Sequence, residues 1–235
     1  MFKKFGYRFN TLKMKKIFLI LSFLLLLLPV EGQILRASGS YNKVQAVVGG
    51  AVYTDDFEAY PDGHLAEQGN WILWMADVDV YDWGGEINTR AFGNSFNNIS
   101  GDIYNDDFED DQYAEIVIAQ VGATGKIGVG VRMSGSEGTA DGYIFYADQA
   151  ECQLIRIDNG VADTLATGGA YIATDVLRLE VSGSVLSCYK NGVLDTSIDT
   201  DGHVTDATYS TGKAGIATRH DSTGSAASEW EGGDL

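Results

Sequence analysis

The sequence predicts an all-β protein, a two-sheet antiparallel jelly-roll sandwich preceded by an N-terminal hydrophobic leader helix. Three observations predict it. Short apolar segments alternate with period two, the turns between them are rich in Gly, Asn and Asp, and no stretch after the leader carries a sustained helical period. The clearest stretch runs from Asp175 to Asp201. Leu177, Leu179 and Val181 fall on one face, and Arg178, Glu180 and Ser182 on the other. Ser182-Gly183-Ser184 turns the chain, the segment from Val185 to Lys190 returns, and Asn191-Gly192 turns it again.

The first 32 residues read as a secretory signal peptide. Lys3, Lys4, Arg8, Lys13, Lys15 and Lys16 form a basic start, and Ile17 to Leu28 is apolar except for Ser22. Val30 and Gly32 suit the small-residue positions of a cleavage site, which would leave Gln33 as the first mature residue. A membrane anchor is the rival reading, but a spanning helix needs about 20 apolar residues. Residues 33–50 are expected as a linker or first strand, and residues 51–235 as the jelly-roll domain. Within it, strands are expected over 51–57, 71–75, 78–81, 113–121, 126–133, 142–147, 152–157, 175–181, 185–190, 213–218 and 227–230. Pro61 is the only proline after the leader, so Gly, Asn and Asp shape the loops.

The leader holds six of the 16 basic residues and one of the 33 acidic ones, so the remaining chain has a formal charge of −22. That argues against nucleic acid, whose phosphates require Lys and Arg, and against contact with a membrane other than through an uncleaved leader. Two cysteines, Cys152 and Cys188, fall in expected strands. Export permits a disulfide between them, but buried free thiols are the favoured reading. His64, His203 and His220 are too scattered for a zinc site.

Over 126–133, alternation puts Ile127, Val129, Val131 and Met133 on one face, with Gly128, Gly130 and Arg132 opposite. Arg132 is thereby expected on an open sheet face beside tyrosines, Tyr146 among them, where it would hold a sugar or carboxylate. Trp83, in Asp82-Trp83-Gly84-Gly85, is the tryptophan expected in an exposed loop, where an aromatic plane would meet the C–H face of a sugar ring. Trp71 or Trp74 is expected to fill the core.

Taken in order, Asp55-Asp56-Phe57, a Trp-containing strand, GVGVRMS ending at Ser134, DGYIFYAD ending at Asp148, LRLEVSGSVLSCYKNG ending at Gly192, and GKAGIA ending at Ala217 resemble the concanavalin A-like lectin/glucanase superfamily in its laminin-G-like branch. The resemblance spans Asp55 to Leu235. It implies two curved sheets with the first and last strands adjacent, and a concave face that often binds glycans. It also implies calcium as the one cofactor to expect. Asp199 and Asp201, or Asp106 and Asp107, are the acidic loop residues that would hold it, since calcium takes six to eight oxygens. The family's glucanases carry a Glu-x-Asp-x-x-Glu strand motif. Here only Asp77, Asp79 and Asp82 approach it, all of them shorter, so catalysis is not expected. The function read from the sequence is a secreted or cell-surface, non-catalytic bacterial module that binds a glycan or another surface polymer. An assembly module of a surface, filament or virion, and a glycan-active hydrolase or lyase, are the alternatives.

Overall fold

Eighteen strands and one turn of 3-10 helix form the computed structural model, which describes residues 45–47, 50–58, 60–76, 78–82, 87–90, 99–219 and 224–235. All lie in the unit Gly39–Leu235. The leader, its cleavage site and Trp83 fall outside the described residues. In chain order the strands are β1 (Gln45–Val47), β2 (Gly50–Asp55), β3 (Gly63–His64), β4 (Trp71–Leu73), β5 (Asp79–Asp82), β6 (Ile87–Arg90), β7 (Ile99–Tyr104), β8 (Gln112–Gln120) and β9 (Lys126–Ser134), followed by β10 (Asp141–Ala147), β11 (Cys152–Asp158), β12 (Val161–Gly168), β13 (Val176–Ser182), β14 (Val185–Lys190), β15 (Val193–Leu194), β16 (His203–Thr205), β17 (Lys213–Arg219) and β18 (Ala226–Asp234). Among the described residues no helix is long and apolar enough to cross a membrane.

Two antiparallel sheets form the sandwich. Sheet I has the order β1-β2-β18-β8-β13-β14-β15, with β16 also on β14, and sheet II the order β12-β11-β10-β9-β17-β7-β4. A small third sheet joins β3, β5 and β6. The last strand pairs with β2, the first long one, so the two ends of the domain close the same sheet. The hairpin of β13 and β14 forms as its alternation dictates. Leu177, Leu179 and Val181 are fully buried, and Ser182 pairs with Val185 across a turn whose Gly183 takes φ +56°.

The inner faces interlock Ile116 and Ile118 of β8 and Leu186 of β14 with Ile127, Val129 and Val131 of β9, Phe145 of β10 and Ile216 of β17. At one end, Trp71 packs edge-on to Trp230 at 4.9 Å and Tyr104 stacks on Trp230 at 5.0 Å. The buried Asp55 organises this end. Its carboxylate accepts hydrogen bonds from Trp71 Nε1 (2.7 Å), the Tyr60 hydroxyl (2.6 Å) and the Phe57 amide (2.8 Å). Burial still holds its pKa above the ordinary carboxylate value. The Asp55-Asp56-Phe57 segment is thus a structural device.

Three features depart from the sequence reading. β7 and β12 were not expected, and neither were the short β3, β6, β15 and β16. Both Trp71 and Trp74 are buried, but only Trp71 lies between the sheets. Alternation in β9 also breaks at Arg132, which takes φ +50°. The register against β10 steps there from Tyr143↔Val131 to Asp141↔Ser134, so two residues face one. The bulge sends Met133 to the outer face instead of the core. It also swings Arg132 off the open sheet, since a Cβ on Gly142 or Gly212 would strike the Arg132–Met133 backbone and only glycine fits there.

Candidate functional site

The outer face of sheet II begins as an apolar surface. Trp74, Met133, Ile144, Ile155, Ile157 and Ala217 form a second buried cluster there. Trp74 lies against Gly101 and donates from Nε1 to the Ser134 carbonyl at 2.7 Å, while the Met133 sulfur sits over Gly130 and Gly215. The glycines of β7, β9 and β17 therefore make room for side chains of the protein itself.

At one end of this face the chemistry changes. Lys126 opens β9, Tyr146 stands near the end of β10, Gln153 near the start of β11, and Arg219 ends β17. The β10–β11 turn supplies Asp148 and Glu151. Its geometry follows from Asp148, whose Oδ1 accepts the amides of Ala150 (2.7 Å) and Glu151 (2.8 Å), the local bond that makes Asp a turn former. Gln149 ties this turn to the β8–β9 loop through the carbonyls of Val121 and Gly122. Ser225 pins that same loop by accepting from the Gly122 amide and donating to the Gly125 carbonyl.

Lys126 is 3% exposed and its ammonium lies 2.5 Å from Asp148 and 3.1 Å from Glu151. Glu151 accepts from the Gln153 amide at 2.8 Å, and Gln153 accepts from the Tyr146 hydroxyl at 3.1 Å. Lys126 also faces the Tyr146 ring, 5.7 Å from its centre. Burial pushes the Tyr146 phenol up and the nearby Arg219 charge partly offsets it, so the hydroxyl stays protonated and a donor at neutral pH. The result is a pocket of about 300 Å³ bounded by Ala123, Thr124, Lys126, Asp148, Ala150, Glu151 and Arg219. Two cations and two carboxylates line it, a set of donors and acceptors of balanced charge. Tyr146, expected on an open sheet face, is instead 3% exposed in the second buried cluster, and with Gln153 it lies outside this lining.

The other residues singled out from the sequence sit elsewhere. Arg132 is buried at the opposite end of β9. It donates to the carbonyls of Asp110 (2.8 and 3.0 Å), Gly183 (2.7 Å) and Tyr209 (2.8 Å), so its fork clamps three loops and offers nothing to solvent. Asp79 binds His64 Nδ1 at 2.7 Å within the small sheet. Asp199 Oδ1 accepts the Thr200 amide and Asp201 Oδ1 the His203 amide, each closing its own turn. Asp106 accepts from Asn70, and the Asp107 carbonyl accepts from Tyr53. Among the described residues no three carboxylate, His or Cys side chains converge as metal ligands. Cys152 and Cys188 are free and buried in the core. Burial, and then the neighbouring Asp195, pushes the Cys152 thiol up to about 12.

No family model and no curated protein matches the chain. Solved structures do. The fold is similar to that of the carbohydrate-binding module CBM66 from Bacillus subtilis, with a TM-score of 0.51 and 15% identity over 68% of this chain and 94% of that one. A protein of unknown function with a galectin-like fold, also from Bacillus subtilis, is similar with a TM-score of 0.55 and 10% identity over 82% and 97%. The exoplasmic/lumenal domain of VIP36, in its Ca²⁺/Man3GlcNAc-bound form, is similar with a TM-score of 0.50 and 10% identity over 77% and 90%. At such identities the likeness is one of fold, and the chain shares the jelly-roll sandwich with these domains.

Proposed function

We propose that this protein is a non-catalytic carbohydrate-binding module whose site is the pocket of Lys126, Asp148, Glu151 and Arg219. The observation that carries the reading is the convergence of these four side chains, from two strands and a turn, on one pocket at the end of one sheet face. Sugar hydroxyls donate and accept at once and need such a mixed lining. Structural neighbours described as a carbohydrate-binding module and as a glycan-bound lumenal domain support it. The two pocket carboxylates share one ammonium, an arrangement for holding rather than for proton transfer. Export belongs to the same proposal and rests on the leader; Gln33 would be the N-terminus of the protein recovered outside the cell.

Binding is not routed through calcium in this reading. VIP36 domains have been solved with Ca²⁺ and metal-free, and EDTA is expected to leave the affinity here unchanged. The test is a glycan array followed by calorimetry on the wild type and on Glu151→Ala and Arg219→Ala. Each variant removes a charged hydrogen-bonding group, so affinity should fall about tenfold or more with folding intact. Retained affinity in both would move the site elsewhere. Release of reducing sugar from the bound polymer would replace the module with a hydrolase, and a filament that ignores all glycans would replace it with an assembly unit.

A further inference from the structure

We propose that Asn159, at the tip of the β11–β12 hairpin, is a site of spontaneous modification, the conversion of its carboxamide to aspartate and isoaspartate, and that the fold spares the same dipeptide at Asn191. This stands apart from the carbohydrate reading. Asn159-Gly160 and Asn191-Gly192 are the two Asn-Gly pairs of the chain. Each is a two-residue hairpin turn, closed by the pairs Asp158↔Val161 and Lys190↔Val193. Their backbones match. φ is +48° and +76° in the first and +54° and +76° in the second, the left-handed pair of a type I′ turn. Glycine has no side chain to shield its amide nitrogen, so Asn-Gly is the pair most open to attack by that nitrogen on the carboxamide. With dipeptide and backbone equal, the difference lies in what holds each carboxamide.

Asn191 is held at both of its polar atoms. Oδ1 accepts the Val176 amide at 2.8 Å, and Nδ2 donates to Asp175 at 2.8 Å. Asp175 is 6% exposed and is fixed in turn by the Ile172 amide (2.9 Å) and the Lys190 ammonium (3.1 Å). Swinging this carboxamide onto Gly192 breaks both bonds. Fraying of β15 does not free it, because Val176 begins β13, an inner strand of sheet I. At Asn159 the carboxamide has one bond, from Nδ2 to its exposed neighbour Asp158 at 2.8 Å. The turn is held through main-chain nitrogens instead. Asn159 donates to Asp141 (2.9 Å) and Gly160 to the Ala140 carbonyl (2.8 Å). Those bonds release when the tip frays, and β12 is an edge strand exposed from Val161 to Thr164. With the tip open, hydroxide takes the Gly160 amide proton and the nitrogen bonds to Asn159 Cγ. The Cγ–Nδ2 bond breaks, and ammonia leaves with a proton from water. Water then opens the cyclic imide. Cleavage of its Cγ–N bond gives aspartate, and cleavage at the main-chain carbonyl gives isoaspartate, whose longer backbone no longer fits the turn. Either product sets a new carboxylate beside Asp158 and Asp141.

The experiment is incubation of the whole protein in mildly alkaline buffer, with and without urea, followed by peptide mapping by mass spectrometry and enzymatic labelling of isoaspartate. Without urea, conversion at Asn159 should outpace conversion at Asn191 by about tenfold or more, the weight of two hydrogen bonds. In urea the two rates should agree within about threefold, since the dipeptides are identical. Equal rates in the folded protein, or a faster Asn191, would overturn the proposal. So would a gap that persists in urea, because it would trace to neighbours in the sequence and not to the fold. Asp175→Ala frees Nδ2 of Asn191 and should narrow the gap in the folded protein. An unchanged gap in that variant would overturn the assignment of protection to this clamp. The wild-type comparison decides the proposal whether or not the variant folds.

Discussion

The outer face of sheet I is polar across its width, whereas the outer face of sheet II is apolar and closed except at one corner. On sheet I, Glu231, Glu115, Arg178 and Tyr189 lie in register across four strands, with Tyr113, Glu180, Ser187 and His203 in the next row. These groups satisfy one another. The Arg178 guanidinium lies 3.6 Å above the Tyr113 ring and bonds Glu180 at 2.7 Å, Tyr189 donates to Glu180 at 3.0 Å, and Tyr113 donates to Glu231 at 2.7 Å. Glu115 directly opposes Glu231, a repulsive pairing. Sheet I thus has many polar groups that bond one another, a solvated surface. Sheet II has few, but they meet at a concavity. Convergence on a pocket, rather than polar content, separates a site from a surface.

The comparison breaks most visibly at Trp74. If the outer face of sheet II is a second core, Trp74→Ala should cost about 3–5 kcal/mol in denaturant unfolding, the range for a fully buried large side chain. A loss below about 1 kcal/mol, as at an ordinary surface position, would mean that face is not a core.

On sheet I the effects should be smaller. Arg178→Ala removes a cation–π contact and two partly exposed ion pairs and should cost about 1 kcal/mol. Glycan affinity should not change, and a shifted affinity would implicate sheet I in binding.

Glu115→Gln gives the smallest effect and one of opposite sign. Burial raises the Glu115 pKa, Arg178 counters it, and Glu231 and Glu180 raise it further. Folding then binds an extra proton between the unfolded and the raised folded value, so wild-type stability falls as pH rises through that window. The variant should be more stable at pH 7 by a few tenths to about 1 kcal/mol, with the gain gone below the ordinary carboxylate pKa of about 4. Unfolding curves at both pH values check it, and a loss at neutral pH would show that the Arg178 pairing outweighs the repulsion.

Much of sheet I was legible because its two faces differ in chemistry. Leu177, Leu179 and Val181 against Arg178, Glu180 and Ser182 is a pattern only a half-buried strand explains. β12 was not legible because it is an edge, exposed along most of its length, with no buried face to select apolar residues. β7 hid for another reason, since two of its three inward positions are Ser100 and Asp102, both fully buried, with Tyr104 the third and no aliphatic residue among them. Tyr146 was legible as an outward aromatic next to Phe145, but the structure buries it in the second cluster rather than on an open face. The pocket's own residues were not legible, because Lys126, Glu151 and Arg219 are far apart in the chain. One local signal was available in Asp148-Gln149-Ala150-Glu151, an acidic turn between two strands.

The sequence by itself determined the all-β class and the signature hairpin, whereas the adjacency of first and last strands was only what the family resemblance implied. The class and the hairpin depend on side-chain period and turn residues, which are local. The tertiary structure decided where the chemistry sits. Arg132 left the open face because a bulge in β9 needs Gly142 and Gly212 against it, residues 10 and 80 positions away, and no local pattern records that contact. The pocket exists only because a loop pinned by Ser225, a turn closed by Asp148 and the end of β17 meet in space. Alternation assigns a side chain to a face; packing between distant segments decides whether that face is open.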